Sequence, residues 1–170
     1  SLAILLPMMH QSSLGGLFMV ATTKTHPYWH TGFLPALFLI SCLTMGFGAV
    51  VVMENLTAMA WGKKIDQPLL ARLSKVPAWM TVAYLVIRLA DVLWRFRDPA
   101  VLARHAEMGS PMFYGAFFLL ELVLFAAAAV MLFNPKVREN RGKLFGASLL
   151  LLFAGALYRF DTYLVAYQPS

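Results

Sequence analysis

Five ionisable residues stand inside runs that are otherwise apolar: His10, Arg88, Asp91, Glu121 and Arg159. An isolated charge in hydrocarbon costs about 3 kcal/mol or more, so such side chains must face other helices, water or a ligand. Arg88 and Asp91 are three apart and share a helix face. At about 1.5 Å of rise per residue, Arg88, Glu121 and Arg159 lie roughly 12, 15 and 12 Å from the same end of their helices. Charges on three helices at one level most simply pair, so Glu121 is expected to bond Arg88 or Arg159, with Asp91 screening Arg88. Two chemistries fit this set: ionic glue between helices, or a polar relay that carries protons or borders a quinone head group.

His10 belongs to His10-Gln11-Ser12-Ser13, four hydrogen-bonding side chains within about one helical turn. It reads as a packing histidine or as a proton or quinone partner. Haem ligation is disfavoured, because a bis-histidine site needs a second histidine at matched depth. His26, His30 and His105 fall in loops. Glu54 reads either as a proton entry point from the opposite side or as an interfacial cap. Arg95 and Asp161 lie nearer helix ends and are expected to snorkel. Cys42 is the only cysteine, read as a small buried residue, and no Cys/His spacing suits zinc, so no metal is expected.

The elements that must hold these residues are helices in a membrane. The chain of 170 residues is 60% hydrophobic and 13% charged, well below the charged share of soluble domains. Its formal charge of +6 would suit nucleic acid, but no basic stripe or basic-aromatic motif exists. An all-α, polytopic transmembrane bundle is expected, one unit over residues 1–170 with five spans near 1–21, 32–60, 76–96, 111–133 and 144–167. Gly15, Gly16, Gly46 and Gly48 offer close helix approach. Ser1 opens directly into an apolar run, so the expectation is a piece of a longer chain.

Loop charges orient the spans. Lys63, Lys64, Arg72 and Lys75 follow the second span, and Lys136, Arg138, Arg141 and Lys143 follow the fourth. The positive-inside rule puts both loops in the cytoplasm. The His26–His30 loop, the Arg97–Ser110 loop and the C-terminus then face outward, with Tyr28, Trp29, Trp94 and Tyr167 as interfacial aromatics.

The run LPMMHQSSLGGLFMVATTKTHPYWH, followed by LPALFLISCLTMGFGAVVVMENL, resembles the membrane subunit of periplasmic Ni/Fe-hydrogenases (HybB type). That subunit belongs to the wider NrfD/polysulfide reductase membrane-anchor family. The resemblance continues through VIRLADVLWR, FLLELVLF and LYRFDTYLVAYQPS and so covers essentially the whole chain. The family commonly has a glutamate where this chain has Asp91, which keeps the sign and shortens the reach. The resemblance implies two helical bundles side by side, of which this chain matches the second without its last span. It also implies a bacterial cytoplasmic (inner) membrane location. An iron–sulfur electron-transfer subunit and the hydrogenase large and small subunits would be the partners, docking at outer residues such as His26, His30, Arg97 and Arg104.

The expected function is to anchor a hydrogenase complex that is catalytic elsewhere. The chain would couple electrons from the iron–sulfur partner to a quinone, menaquinone or ubiquinone, as exchangeable substrate. The best-defined quinone pocket is implied to lie in the unmatched bundle. His10, Arg88, Asp91, Glu121 and Arg159 would form the proton relay, with Glu54 as its cytoplasmic entry. The rivals are a haem b electron-transfer subunit, an ion or solute transporter and a passive anchor.

Overall fold

The computed structural model describes residues 2–20, 26–62, 64–107 and 111–165, excluding the side chains of residues 2–8, 11, 18, 104 and 111. It is all-helical among the described residues. The helices are α1 (Leu2–Val20), α2 (Leu34–Trp61), α3 (Gln67–Leu73), α4 (Lys75–Arg95) and α5 (Pro99–Glu107), then α6 (Pro111–Phe133), α7 (Pro135–Glu139) and α8 (Arg141–Phe160). A π-helical turn, Asp161–Val165, continues α8.

Four segments are long and apolar enough to cross a membrane: Leu34–Trp61, Gln67–Arg95, Met112–Phe133 and Arg141–Val165. They are four of the five expected spans, and the chain is a multi-pass membrane protein. The first expected span is present as the 19-residue α1.

Turn chemistry sets the breaks. Gly62 ends α2 in the left-handed region at φ +62°, which a side chain would strain. Asp66, Asn134 and Asn140 each accept a backbone N–H at the start of α3, α7 and α8, with Pro68 and Pro135 early in the first two.

The long helices α2, α4, α6 and α8 close a ring in which each touches the next, and α1 lies against α2. Buried residues recur every three or four positions, as in Pro77, Thr81, Tyr84, Arg88 and Asp91 on α4. Val50, Val86, Leu93, Val123, Val130 and Phe153 point outward, while Arg88, Glu121 and Asp161 are fully enclosed. That inversion suits hydrocarbon as the outer solvent.

Only some of the expected glycine contacts form. A Cβ on Gly15 would lie 2.6 Å from the Pro35 Cα, and one on Gly48 would lie 3.3 Å from the Ser148 carbonyl. Gly16 and Gly46 face open space.

Candidate functional site: a buried charge centre under a folded-in loop

Arg88 of α4 and Glu121 of α6 meet at the centre of the ring, both with no exposed surface. The Arg88 Nε and Nη2 each reach a Glu121 oxygen at 3.4 Å. Tyr84, one turn before Arg88, donates its hydroxyl to Glu121 Oε1 at 2.5 Å. The Trp29 indole N–H reaches Glu121 Oε2 at 3.2 Å. One carboxylate thus takes four donors, three from α4 and one from the loop, which meets the need of a buried charge for both a counter-ion and hydrogen bonds. The Arg88 guanidinium also lies 5.0 Å from the Phe118 ring centre and 5.5 Å from that of Tyr158. Of the two expected partners, it is Arg88 that bonds Glu121. The Arg159 Nη1 lies 2.9 Å from the Met45 sulfur and its guanidinium stacks over Phe38.

Residues 26–32 form no helix, yet they pack against this centre. Non-helical backbone is tolerated at membrane depth only where the protein satisfies its polar groups. Arginines of α4 do so here. Arg88 Nη1 donates to the Tyr28 carbonyl at 3.1 Å, and Arg95 Nη1 donates to the Pro27 carbonyl at 2.7 Å and also to that of His30. Tyr28 stacks between Phe96 and Phe118 at centroid distances of 5.1 and 4.9 Å. Trp29 is therefore an internal strut with no exposed surface, not the expected interfacial aromatic. Trp94, 73% exposed, does keep a lipid-facing position.

Asp91 departs from its expected role. Its carboxylate bonds Arg95, at 2.8 Å to Nε and 2.7 Å to Nη2, rather than screening Arg88. An acid four residues before a base is well placed for a helical pair, and Arg88 is already turned inward to Glu121. Asp91 also borders a groove of about 410 Å³ formed with Phe33, Val86, Ile87, Ala90 and Trp94. Arg95 is consequently a clamp on the loop and does not snorkel.

His26, expected at a docking surface, is fully buried. Its ring stacks on Tyr114 at 4.2 Å. Its Nδ1 accepts the Tyr28 N–H at 3.3 Å, so the proton of the neutral ring sits on Nε2, which faces His105 Nδ1 at 3.3 Å. His30 is half-buried, Arg97 is exposed beside Trp94, and the Arg104 side chain lies outside the described residues.

The remaining candidates stay apart from the centre. His10 is on an exposed face of α1, with its carbonyl accepting the Ser13 hydroxyl at 2.9 Å, and the Gln11 side chain lies outside the described residues. Glu54 is exposed on α2, while its neighbour Asn55 is buried and bound by Arg141 at 2.8 Å. Cys42 is half-buried rather than enclosed. Tyr167 lies outside the described residues. Among the described residues no three His, Cys, Asp or Glu side chains converge as a metal site.

Asp161 is the residue the sequence reading placed least well. It is fully buried, and neither carboxylate oxygen has a hydrogen-bond partner among the described residues. The Tyr158 hydroxyl, three residues earlier on the same face, is likewise without one. Asp161 opens the π-turn, and such turns rotate the side chains that follow. The missed members of the site, Trp29, Tyr84, Arg95, Tyr158 and Asp161, carried one usable signal. Tyr84 and Arg95 are four before and seven after Arg88, on its face.

A ring of membrane-crossing helices closed around an arginine–glutamate pair, with an extramembrane-type loop sealed onto it, defines a polytopic membrane protein with a charged interior. Residues 2–168 match the family described as "Polysulphide reductase, NrfD", and the chain belongs to it. It is 31% identical over 177 residues to a curated protein of Nitratidesulfovibrio vulgaris named only "Protein", covering 97% of this chain and 42% of that one. It is 30% identical over 173 residues to the "Probable Ni/Fe-hydrogenase 2 b-type cytochrome subunit" of Escherichia coli K12, covering 100% of this chain and 42% of that one. The chain thus spans less than half the length of either relative. No solved structure matches it significantly.

Proposed function

We propose that the chain is part of the membrane subunit of a Ni/Fe-hydrogenase complex. In this reading it anchors the enzyme in the bacterial inner membrane and couples electrons from an iron–sulfur partner to the quinone pool. Hydrogen chemistry would belong to the large and small subunits. The name of the Escherichia coli relative supports the setting. The observation that carries the reading is the enclosed Arg88–Glu121 pair with the Tyr158 and Asp161 oxygens, at the end of α8 and in the turn after it, that have no hydrogen-bond partner among the described residues.

Reducing a quinone takes up protons together with electrons, so ionisable groups inside the bundle have a chemical use. Glu121 is fixed by four donors and sets the local charge. Asp161, whose carboxylate has no hydrogen bond among the described residues, is the group that takes up and passes on a proton. Asp91, Arg159, His10 and Glu54 remain candidates for the ends of that route, and Arg97, Arg104 and His30 for the docking face.

The test is Glu121→Gln in the full-length complex. Hydrogen-driven quinone reduction should slow while dye-linked hydrogenase activity is kept. An assembled variant with an unchanged quinone-linked rate would count against the reading.

The relative's name also raises a haem-bearing subunit. His26 and His105 as placed do not pair across a haem. His26 and His105 are hydrogen-bonded to each other, with no room for iron between them, and His10 is on an exposed face of α1. A reduced-minus-oxidised spectrum of the full-length complex decides between the two, with a haem band favouring the second.

A further inference from the structure

The opposite end of the bundle carries a different site. There the short helices α3 and α7 touch and, with the start of α4, enclose a cleft of about 530 Å³. Arg72, Lys75 and Arg138 line it against the single carboxylate of Glu139. Arg138 is held in place from two sides. Its Nη1 reaches the Ala71 carbonyl at 3.5 Å, and its own carbonyl accepts the Gln67 amide at 2.9 Å. Its Nε is nonetheless buried with no acceptor among the described residues, and the Gln67 Oε1 beside it has no donor. Both atoms are shut off from the cleft, so a ligand there meets the rest of the Arg138 side chain and the exposed cations of Arg72 and Lys75, a set that suits phosphate oxygens.

The membrane supplies such a ligand. Trp79 lies four residues after Lys75, on the same face and about 6 Å deeper. It is 65% exposed and meets the Phe133 ring edge-on at 5.1 Å, across the seam between α4 and α6. A cationic cleft thus sits one turn above an exposed aromatic pair, which is the order of head group and acyl chain in a bilayer leaflet.

We propose that this cleft binds the phosphodiester of an anionic phospholipid. The phosphate sits among Arg72, Lys75 and Arg138, and an acyl chain lies over Trp79 and Phe133. This site is independent of the electron-transfer reading.

The test is native mass spectrometry of the delipidated full-length protein in its complex, titrated with phosphatidylglycerol, phosphatidylcholine or inorganic phosphate. The wild type should retain phosphatidylglycerol in preference to phosphatidylcholine. The Arg72→Gln/Lys75→Gln variant, whose changes are at exposed positions, should bind phosphatidylglycerol about 25-fold more weakly, on the basis of about fivefold per cation. Arg138→Gln should weaken it further, and Lys143→Gln, outside the cleft lining, should not. Equal retention of the two lipids would overturn the proposal, as would full binding by a folded Arg72→Gln/Lys75→Gln variant. Displacement of the lipid by submillimolar inorganic phosphate would also overturn it, by assigning the cleft to a soluble anion.

Discussion

Removing Glu121 should be far more damaging alone than together with Arg88. In Glu121→Leu, the Arg88 cation keeps only the Tyr28 carbonyl, and the Tyr84 hydroxyl and Trp29 N–H lose their acceptor. An uncompensated buried charge costs about 3–5 kcal/mol, and each orphaned neutral donor adds about 1–2 kcal/mol. The single variant should therefore lose about 5–9 kcal/mol. Arg88→Met leaves the Glu121 carboxylate with two neutral donors and should lose about 3–5 kcal/mol. The double variant carries neither charge, so only the two orphaned donors and the Tyr28 carbonyl remain, at about 3–5 kcal/mol in all. Its loss should fall short of the sum of the singles by about 3 kcal/mol or more. Equilibrium unfolding of the full-length protein in mixed micelles measures all three. Additive losses would refute the reasoning, because they would mean that the two charges do not depend on each other.

Further outcomes follow from the same geometry. Trp29→Phe keeps the ring packing but drops one bond to Glu121, so it should cost about 1–2 kcal/mol in the same unfolding assay. Gly15→Ala should push α1 off α2, since its Cβ would meet Pro35 backbone at 2.6 Å. Disulfide trapping of paired cysteines across that contact should become slower. Nitrogen NMR of labelled histidine at alkaline pH should find His26 with its proton on Nε2, and a proton on Nδ1 would contradict the bond from Tyr28.

The helices were readable because their apolar runs are long and their breaks fall at Gly62, Asp66-Gln67-Pro68 and Asn134-Pro135. That Glu121 pairs with an arginine was readable because matched depth leaves opposite charges few alternatives, but the choice of Arg88 over Arg159 was not. Asp91 was not, since three- and four-residue spacings both put side chains in contact, and only the inward turn of Arg88 selects Arg95. Trp29 was misplaced because an aromatic pair at a helix end has the same sequence signature whether it lies in the interface or folds inward. What decides is the supply of donors for the loop carbonyls, and those come from α4. Asp161 was misplaced because distance from a helix end does not tell which way a side chain faces, and Asp161 shares the inward face of Tyr158. The face of His10 was unreadable because α1 is apolar on nearly every side.

Asp161 separates a working interior from a merely fastened one, since its carboxylate has no hydrogen-bond partner among the described residues. The decisive measurement is the ratio of hydrogen-driven quinone reduction to dye-linked hydrogenase activity in the full-length complex carrying Asp161→Asn, with its unfolding midpoint taken alongside. The ratio should drop about a hundredfold with the midpoint unmoved, as expected when a proton-transfer group is removed. A wild-type ratio at a wild-type midpoint would mean that the charged interior serves only to hold the His26–Gly32 loop against the bundle.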